Sequence, residues 1–249
     1  MLSEKKAGKQ VSDDKVCIAM SGGVDSSVAA LLLAKKDTGC IGATMVLGTP
    51  EDETNVQSAQ AVCTALGIPH ITFDLPRDFE EAVKEPFLDA YCRGLTPNPC
   101  VTCNRTIKFG TFIAKAAEMG CERIATGHYV RSRGAHDTFR LLRGADPAKD
   151  QSYFLSRVSP DCLQKALFPI GTLPKPEVKA IAEKAGLPVA HREESQDICF
   201  IPKSCPDYLR EHISTQPGDI LDVHGACIGS HDGSYLFTLG QRKGLGVAL

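Results

Sequence analysis

No segment of the chain limits its fold more than Met20-Ser21-Gly22-Gly23-Val24-Asp25-Ser26-Ser27, which follows the apolar run Val16-Cys17-Ile18-Ala19 and precedes Val28-Ala29-Ala30-Leu31-Leu32-Leu33. The order reads as a strand, a tight turn and a helix. Two adjacent glycines give the backbone conformations closed to other residues and let peptide N–H groups approach an anion. A helix opened by Ser26 and Ser27 adds unpaired N–H groups and a dipole, and both favour negative charge. The segment suits a pyrophosphate. It is not a Walker loop, because no Gly-Lys-Ser/Thr follows and no lysine of the run reaches the β- and γ-phosphates. A Gly-rich turn capped by its serines, with no ligand, is the plain alternative.

Short β-branched runs alternate with longer amphipathic ones, predicting strands over 15–20, 40–47, 69–74 and 122–126 and helices over 25–36, 54–66, 78–92 and 107–119. That order specifies an α/β fold with a doubly wound parallel sheet. Ligands of such sheets lie beyond the carboxyl ends of the strands, where the glycine loop and Thr126-Gly127-His128 both fall. Residues 129–143 predict an antiparallel hairpin, and 160–167 and 174–185 two further helices. From about residue 216 the texture of Gly, Asp and alternating apolar residues predicts the start of a small β-rich domain. The division expected is a disordered lead over 1–14, an α/β domain over 15–210 and a partial β-rich domain over 211–249.

With 249 residues, 43% of them hydrophobic, the chain can bury a substantial core. Residues 1–14 are polar, no apolar h-region follows them, and no apolar run is long enough for a membrane span, so a cytoplasmic protein without membrane association is expected. The 11 cysteines are an odd number. In a reducing compartment this points to thiol or metal chemistry for some and burial for others. Cys17, Cys40, Cys63 and Cys121 lie in or beside apolar runs and read as small core residues. A net charge of −2 does not advertise a nucleic-acid binder. The local excess of Arg123, Arg131, Arg133, Arg140 and Arg143 suits a phosphate backbone or a solvated hairpin face equally well.

Pro97-Asn98-Pro99-Cys100-Val101-Thr102-Cys103-Asn104 places a CxxC pair between two predicted helices, on a loop that two prolines and two asparagines make irregular. Alone it permits half of a zinc site, a redox dithiol or a nucleophilic cysteine with a neighbour. Zinc would need a second pair at similar spacing, and Cys199 and Cys205 do not supply one. Downstream, Glu194-Ser195-Gln196-Asp197-Ile198-Cys199-Phe200-Ile201-Pro202 offers either a reactive thiol or a cysteine buried on a strand.

SGGVDSS, TPNPCVTCNRTIKFG, ATGHYVR, LLRGADPAKDQSYFL, LFPIGTLPKPEVK, ESQDICFIP and FTLGQRKGLG follow one another in order from about residue 15 to the end. The first resembles the SGGxDS loop of PP-loop ATP pyrophosphatases, and the set together resembles the tRNA-specific 2-thiouridylase family. The resemblance implies ATP-dependent 2-thiolation of the wobble uridine in tRNAs for Lys, Glu and Gln, by adenylation of the C2 oxygen and transfer of a persulfide sulfur. It implies ATP contacts at Ala19, Met20, Ser21, Gly22, Gly23, Val24, Asp25, Ser26, Met45 and Gly127. It places Asn98, Pro99 and Cys100 against the target base, and His128, Lys149, Asp150 and Gln151 against tRNA. Cys103 matches the nucleophile and Cys199 the persulfide carrier, with a Cys103–Cys199 disulfide as the product for external reductant to reopen. Mg²⁺ is implied with ATP, held mainly by phosphates, and a cysteine desulfurase or sulfur relay protein is implied as sulfur donor.

Three departures qualify it. Cys100 stands where many relatives carry aspartate, so Cys100, Cys103 and Cys199 offer an alternative ligand set for a [4Fe–4S] cluster with one iron open. The region after Met45 is shortened and lacks the usual tryptophan. Relatives continue into a C-terminal β-barrel, whereas this sequence stops just past Gln241-Arg242-Lys243-Gly244, as a fragment or a short form. Other PP-loop adenylating enzymes, and a sulfur-carrier or iron–sulfur module without RNA activity, are the rival readings.

Overall fold

The computed structural model describes residues 15–35, 39–193 and 198–247. The lead expected over 1–14, and Glu194-Ser195-Gln196-Asp197 ahead of Cys199, lie outside these residues. The central element is a parallel sheet of strands β1 (Val16–Ala19), β2 (Cys40–Val46), β3 (His70–Asp74), β4 (Arg123–Ala125) and β7 (Ala166–Leu167), in the order β3-β2-β1-β4-β7. Register runs from Val16 opposite Cys40 on one side of β1 to Val16 opposite Arg123 on the other. The order reverses at β1 and β4, so the crevice that receives ligands in such sheets opens between the loops that follow these two strands.

Both faces of the sheet are covered, as the near-continuous apolar character of its strands requires. One core layer joins helix α1 (Val24–Ala34) and helix α2 (Asp52–Leu66) to the helix Lys175–Lys184 through Val28, Ala29, Ala59, Val62, Val178 and Ala182. The opposite layer packs two long helical stretches, residues 76–92 and 99–118, through Phe79, Phe87, Ile107, Phe109 and Phe112. Each long stretch contains a π-helical segment, Glu80–Lys84 and Asn104–Thr111. The cysteines read as core residues, Cys17, Cys40, Cys63 and Cys121, are all buried.

The hairpin forms as β5 (Val130–Arg133) against β6 (Arg140–Arg143), antiparallel. Its arginines Arg131, Arg133, Arg140 and Arg143 are exposed. A second antiparallel pair, β8 (Gly218–Leu221) and β9 (Cys227–His231), lies in the β-rich C-terminal region. Tyr235, just beyond it, is buried in the same core layer as Phe87 and Phe200. Among the described residues no helix is long and apolar enough to cross a membrane.

Two sequence expectations are corrected. Residues 160–167 are not one helix, for the helix stops at Gln164 and Ala166–Leu167 joins β4 as a fifth parallel strand. A helix over Cys205–His212, which the sequence reading passed over, is opened by Ser204, whose side chain accepts from the Asp207 N–H. Ser-x-Pro-Asp at a helix start is a recognisable capping signature.

Candidate active site

The glycine loop leaves β1 at Met20 and enters α1 at Val24, two residues before the serines expected to open it. Gly23 is the N-cap and no side chain caps the helix. The serines turn the other way, since Ser26 Oγ and Ser27 Oγ both donate to the Gly23 carbonyl at 3.1 and 2.8 Å. The Ser27 N–H donates to the Gly23 carbonyl at 3.3 Å, and no side chain caps the first-turn N–H groups that precede it, the kind of helix start that favours an anion. Gly22 has φ of +72°, and a Cβ there would lie 2.7 Å from the Asn55 carbonyl oxygen. Gly127, in the loop after β4, approaches α1 so closely that a Cβ would lie 2.7 Å from Ser26 N. Glycine at both positions is a packing requirement in the folded chain. Met45 lies near the carboxyl end of β2, half-buried, on the same sheet edge.

Three side chains unassigned by the sequence reading surround this loop. Lys175 Nζ donates to both carboxylate oxygens of Asp25, at 2.7 and 2.9 Å. The Tyr129 hydroxyl donates to Asp25 Oδ1 at 2.6 Å. Arg192 donates from one guanidinium nitrogen to the Gly22 carbonyl, 2.9 Å, and from another to Asn55 Oδ1, 2.7 Å. Lys175 and Arg192 lie more than a hundred positions from the loop in sequence, so only the fold could bring them there. One signal was present, because Lys175 stands at the first position of its helix, where the dipole disfavours a cation.

The CxxC pair is not on an irregular loop. Asn98 Oδ1 accepts from the N–H groups of Cys100 and Val101 at 3.1 and 3.3 Å, Pro99 occupies the first helical position, and both cysteines sit in the first turns of the 99–118 helix. Asparagine at the N-cap and proline next to it start a helix, so the residues read as breakers are its initiators. Asn98→Ala should therefore cost about 1 kcal/mol of stability. Asn98→Ser, which keeps an acceptor, should lose only a fraction of that. Urea unfolding of both variants reads the difference, and equal losses would remove the capping role.

Cys199 lies in a turn, not on a strand, closed by the Ile201 N–H donating to the Ile198 carbonyl at 2.9 Å. Phe200 anchors that turn among Phe79, Phe87 and Tyr208, with ring centroids 5.4–5.6 Å away. Cys199 itself keeps access to solvent, while Cys103 is buried and Cys100 half-buried. All three are free thiols.

The three thiols share one electrostatic neighbourhood. Burial pushes Cys103 up to about 11, with the Lys108 ammonium pulling it down and Cys199 and Cys100 pushing it further up. Protein packed around their sulfurs raises Cys100, and Cys199 too although that residue is exposed, again against the pull of Lys108. Lys108 belongs to the π-helical segment after the CxxC pair. Asp52 at the start of α2 acts on Cys199 as well. Cys199 thus feels charges from both the CxxC helix, through Lys108 and Cys100, and the start of α2, through Asp52.

His128 is buried, its Nδ1 lies 2.8 Å from Thr126 Oγ1, and burial with the Lys108 charge lowers it to about 3. It is neutral at physiological pH and offers no charge to a phosphate. Asp150 accepts from Gly144 N, Ser152 N and Ser152 Oγ, and Gln151 Oε1 accepts from Tyr129 N at 2.9 Å. Asp150 closes the 144–152 loop on itself, and Gln151 fastens that loop to the connection after β4. Lys149 beside them is half-buried.

Among the described residues no three His, Cys, Asp or Glu side chains converge to hold a metal ion. Cys100, Cys103 and Cys199 are neighbours but do not form the three-thiolate cluster set expected as the alternative, and no step is derived through a cluster. For Mg²⁺ the donor chemistry fits differently. Asp25 is the carboxylate at the loop, and a phosphate-bound Mg²⁺ needs few protein ligands.

Residues 14–203 match the tRNA methyl transferase HUP domain family, and residues 206–249 the tRNA methyl transferase PRC-barrel domain family. The tRNA-specific 2-thiouridylase MnmA of Thermus thermophilus is 45% identical over 251 residues, covering 94% of this chain and 67% of that protein. The enzyme of the same name from Akkermansia muciniphila is 44% identical, covering 94% of this chain and 68% of its own length. The chain thus spans about two thirds of the length of these relatives. Among solved structures, a 4-thiouridine synthetase in complex with RNA and ATP aligns with a TM-score of 0.51 at 17% identity over 75% of this chain and 45% of its own. NMN synthetase from Francisella tularensis aligns at 0.50 and 16% identity over 74% of this chain and 66% of its own. At that identity the likeness speaks for the fold alone, whereas the extent and identity of the sequence matches make this chain a member of the tRNA-specific 2-thiouridylase family.

Proposed function

We propose that the chain is a tRNA-uridine 2-sulfurtransferase that adenylates the C2 oxygen of the wobble uridine with ATP and replaces that oxygen with sulfur carried on Cys199. The observation that carries this reading is that one fold holds both a glycine loop whose helix no side chain caps and a CxxC pair at a helix start whose thiols, with the exposed Cys199, act electrostatically on one another. Methyl transfer, the activity in the family description, has use for neither. Family members named as 2-thiouridylases support thiolation over methylation.

A uridine carbonyl resists sulfur because its oxygen leaves poorly, and AMP makes it a good leaving group. The phosphates of ATP are assigned to the first-turn N–H groups of α1 and the loop Ala19 to Ser26, with Met45 and Gly127 flanking the nucleotide. Mg²⁺ would add charge neutralisation at the phosphates, with Asp25 as its protein oxygen. The terminal sulfur of a Cys199 persulfide attacks C2, forming a C–S bond as AMP departs. The Cys103 thiolate then attacks the Cys199 sulfur. The S–S bond to the base breaks, its electron pair goes to the sulfur on C2, and Cys103–Cys199 becomes a disulfide. Burial raises Cys103 in the resting arrangement and so disfavours its thiolate. Lys108 is the cation placed to favour it.

Asn98, Pro99 and Cys100 are assigned to the target base, and His128, Lys149, Asp150 and Gln151 to the tRNA side. Asn98, Asp150 and Gln151 act in the first instance by shaping the backbone that meets it. A cysteine desulfurase or sulfur relay protein supplies the persulfide, in a reducing, cytoplasmic setting. The α/β unit over 15–210 performs both steps, and the β-rich unit over 211–249 adjoins it. The test is anaerobic incubation with ATP, Mg²⁺, unmodified tRNA-Lys and a persulfide source, followed by nucleoside mass spectrometry. We expect 2-thiouridine, and AMP equimolar with it. Sulfur uptake without ATP consumption or thiolated base would instead make the chain a carrier.

A further inference from the structure

We propose that Lys175 is the lysine that binds the β- and γ-phosphates and receives the departing pyrophosphate, a role the glycine loop has no residue of its own to fill. The inference rests on the ATP reading of the loop. From Met20 to Ser27 the loop holds one carboxylate and no cation. The fold supplies a cation from another part of the chain. Lys175 Nζ stands 2.7 and 2.9 Å from the two Asp25 oxygens, and its side chain is only 7% exposed. Asp25 is the second residue of α1, so the ammonium is held beside the first turn whose N–H groups are uncapped.

The position is built. The Lys175 main-chain N–H donates to Asp146 Oδ2 at 2.9 Å, which fixes the start of its helix despite a lysine at the positive end of the dipole. Its Nζ also lies 5.8 Å from the centre of the Tyr129 ring, and the Tyr129 hydroxyl holds Asp25 in turn. With Arg192 on the Gly22 carbonyl at the other side, the loop has two cations and a helix N-terminus against a single carboxylate. That balance suits a polyanion better than the empty loop.

In the step itself the uridine O2 forms a bond to the α-phosphorus. The bond from that phosphorus to the oxygen bridging to the β-phosphate breaks, and its electron pair stays on the pyrophosphate oxygen. The N3 proton leaves to solvent. Negative charge grows on the pyrophosphate, where Lys175 can exchange its bond to Asp25 for one to phosphate and no proton need move.

The test measures binding of inorganic pyrophosphate and of AMP, each with Mg²⁺, by calorimetry on the whole chain and on Lys175→Gln and Lys175→Arg. Thermal unfolding checks the fold. A phosphate-contacting lysine predicts pyrophosphate affinity down at least about 10-fold in Lys175→Gln with AMP affinity changed less than about twofold. Lys175→Arg keeps the charge but moves it, so the same selective loss should shrink to about threefold. Should the glutamine variant not fold, the arginine variant carries the test alone. Equal loss of both ligands, or no loss of pyrophosphate, would mean a purely structural ion pair and overturn the assignment. If the unmodified chain binds neither ligand, the ATP reading of the loop falls, and this inference with it.

Discussion

Serine at position 199 should abolish 2-thiouridine formation, by about a thousandfold or more, while tRNA-dependent release of pyrophosphate stays within about twofold of the unmodified chain. A hydroxyl cannot carry a terminal sulfur, and no other thiol is placed to replace it. Cys100 and Cys103 are its neighbours, but Cys103 is buried and Cys100 only half-exposed, whereas Cys199 has the access a donor protein needs. The substitution changes one atom on a turn held by Phe200 and by the Ile198–Ile201 hydrogen bond, so the fold should be untouched. Nucleoside mass spectrometry reads the first effect and a pyrophosphate assay the second. Thiolation at the normal rate in Cys199→Ser would end the persulfide assignment. Simultaneous loss of pyrophosphate release would mean that Cys199 shapes the adenylation site instead.

How far the sequence disclosed this arrangement depends on the range of the interactions involved. The alternation of β-branched and amphipathic runs gave four parallel strands and their helices, because each such element follows from local periodicity. Ala166–Leu167 was hidden, being two residues long and continuous with the apolar positions of the preceding helix. The start of the CxxC helix is written in Asn98-Pro99, an initiation signal, but two prolines and two asparagines in so short a run also fit an irregular loop. The Asp25–Lys175 pair spans 150 positions and Arg192 to Gly22 spans 170, and no local pattern encodes either. The resemblance had named Asp150, Gln151 and His128 for contact with RNA. Their side chains are also the fastenings and packing of the loops around the site, a role visible only in three dimensions.

The same ion pair gives the second large effect. Asp25→Ala should end adenylation and also lower stability by about 3 kcal/mol, the lower part of the range for breaking a buried pair because the Asp25 side chain is 32% exposed. For a chain of this size that corresponds to a fall of roughly 6–12 °C in Tm. The cost arises because Lys175, nearly all buried, keeps its charge and loses its carboxylate. Removing both charges in Asp25→Ala/Lys175→Met should therefore restore most of the lost stability, and urea unfolding of the two single variants and the double variant gives the coupling directly. The double variant also resolves an ambiguity. Lost activity in Asp25→Ala alone has two causes, a missing phosphate-site carboxylate and a weakened fold. A double variant that is stable and still releases no pyrophosphate assigns the loss to the Asp25–Lys175 pair at the phosphate site and not to a weakened fold. Additive effects of the two substitutions, with no recovery, would show that Asp25 and Lys175 do not form this pair in solution, and the electrostatic account of the loop would have to be rebuilt around Arg192.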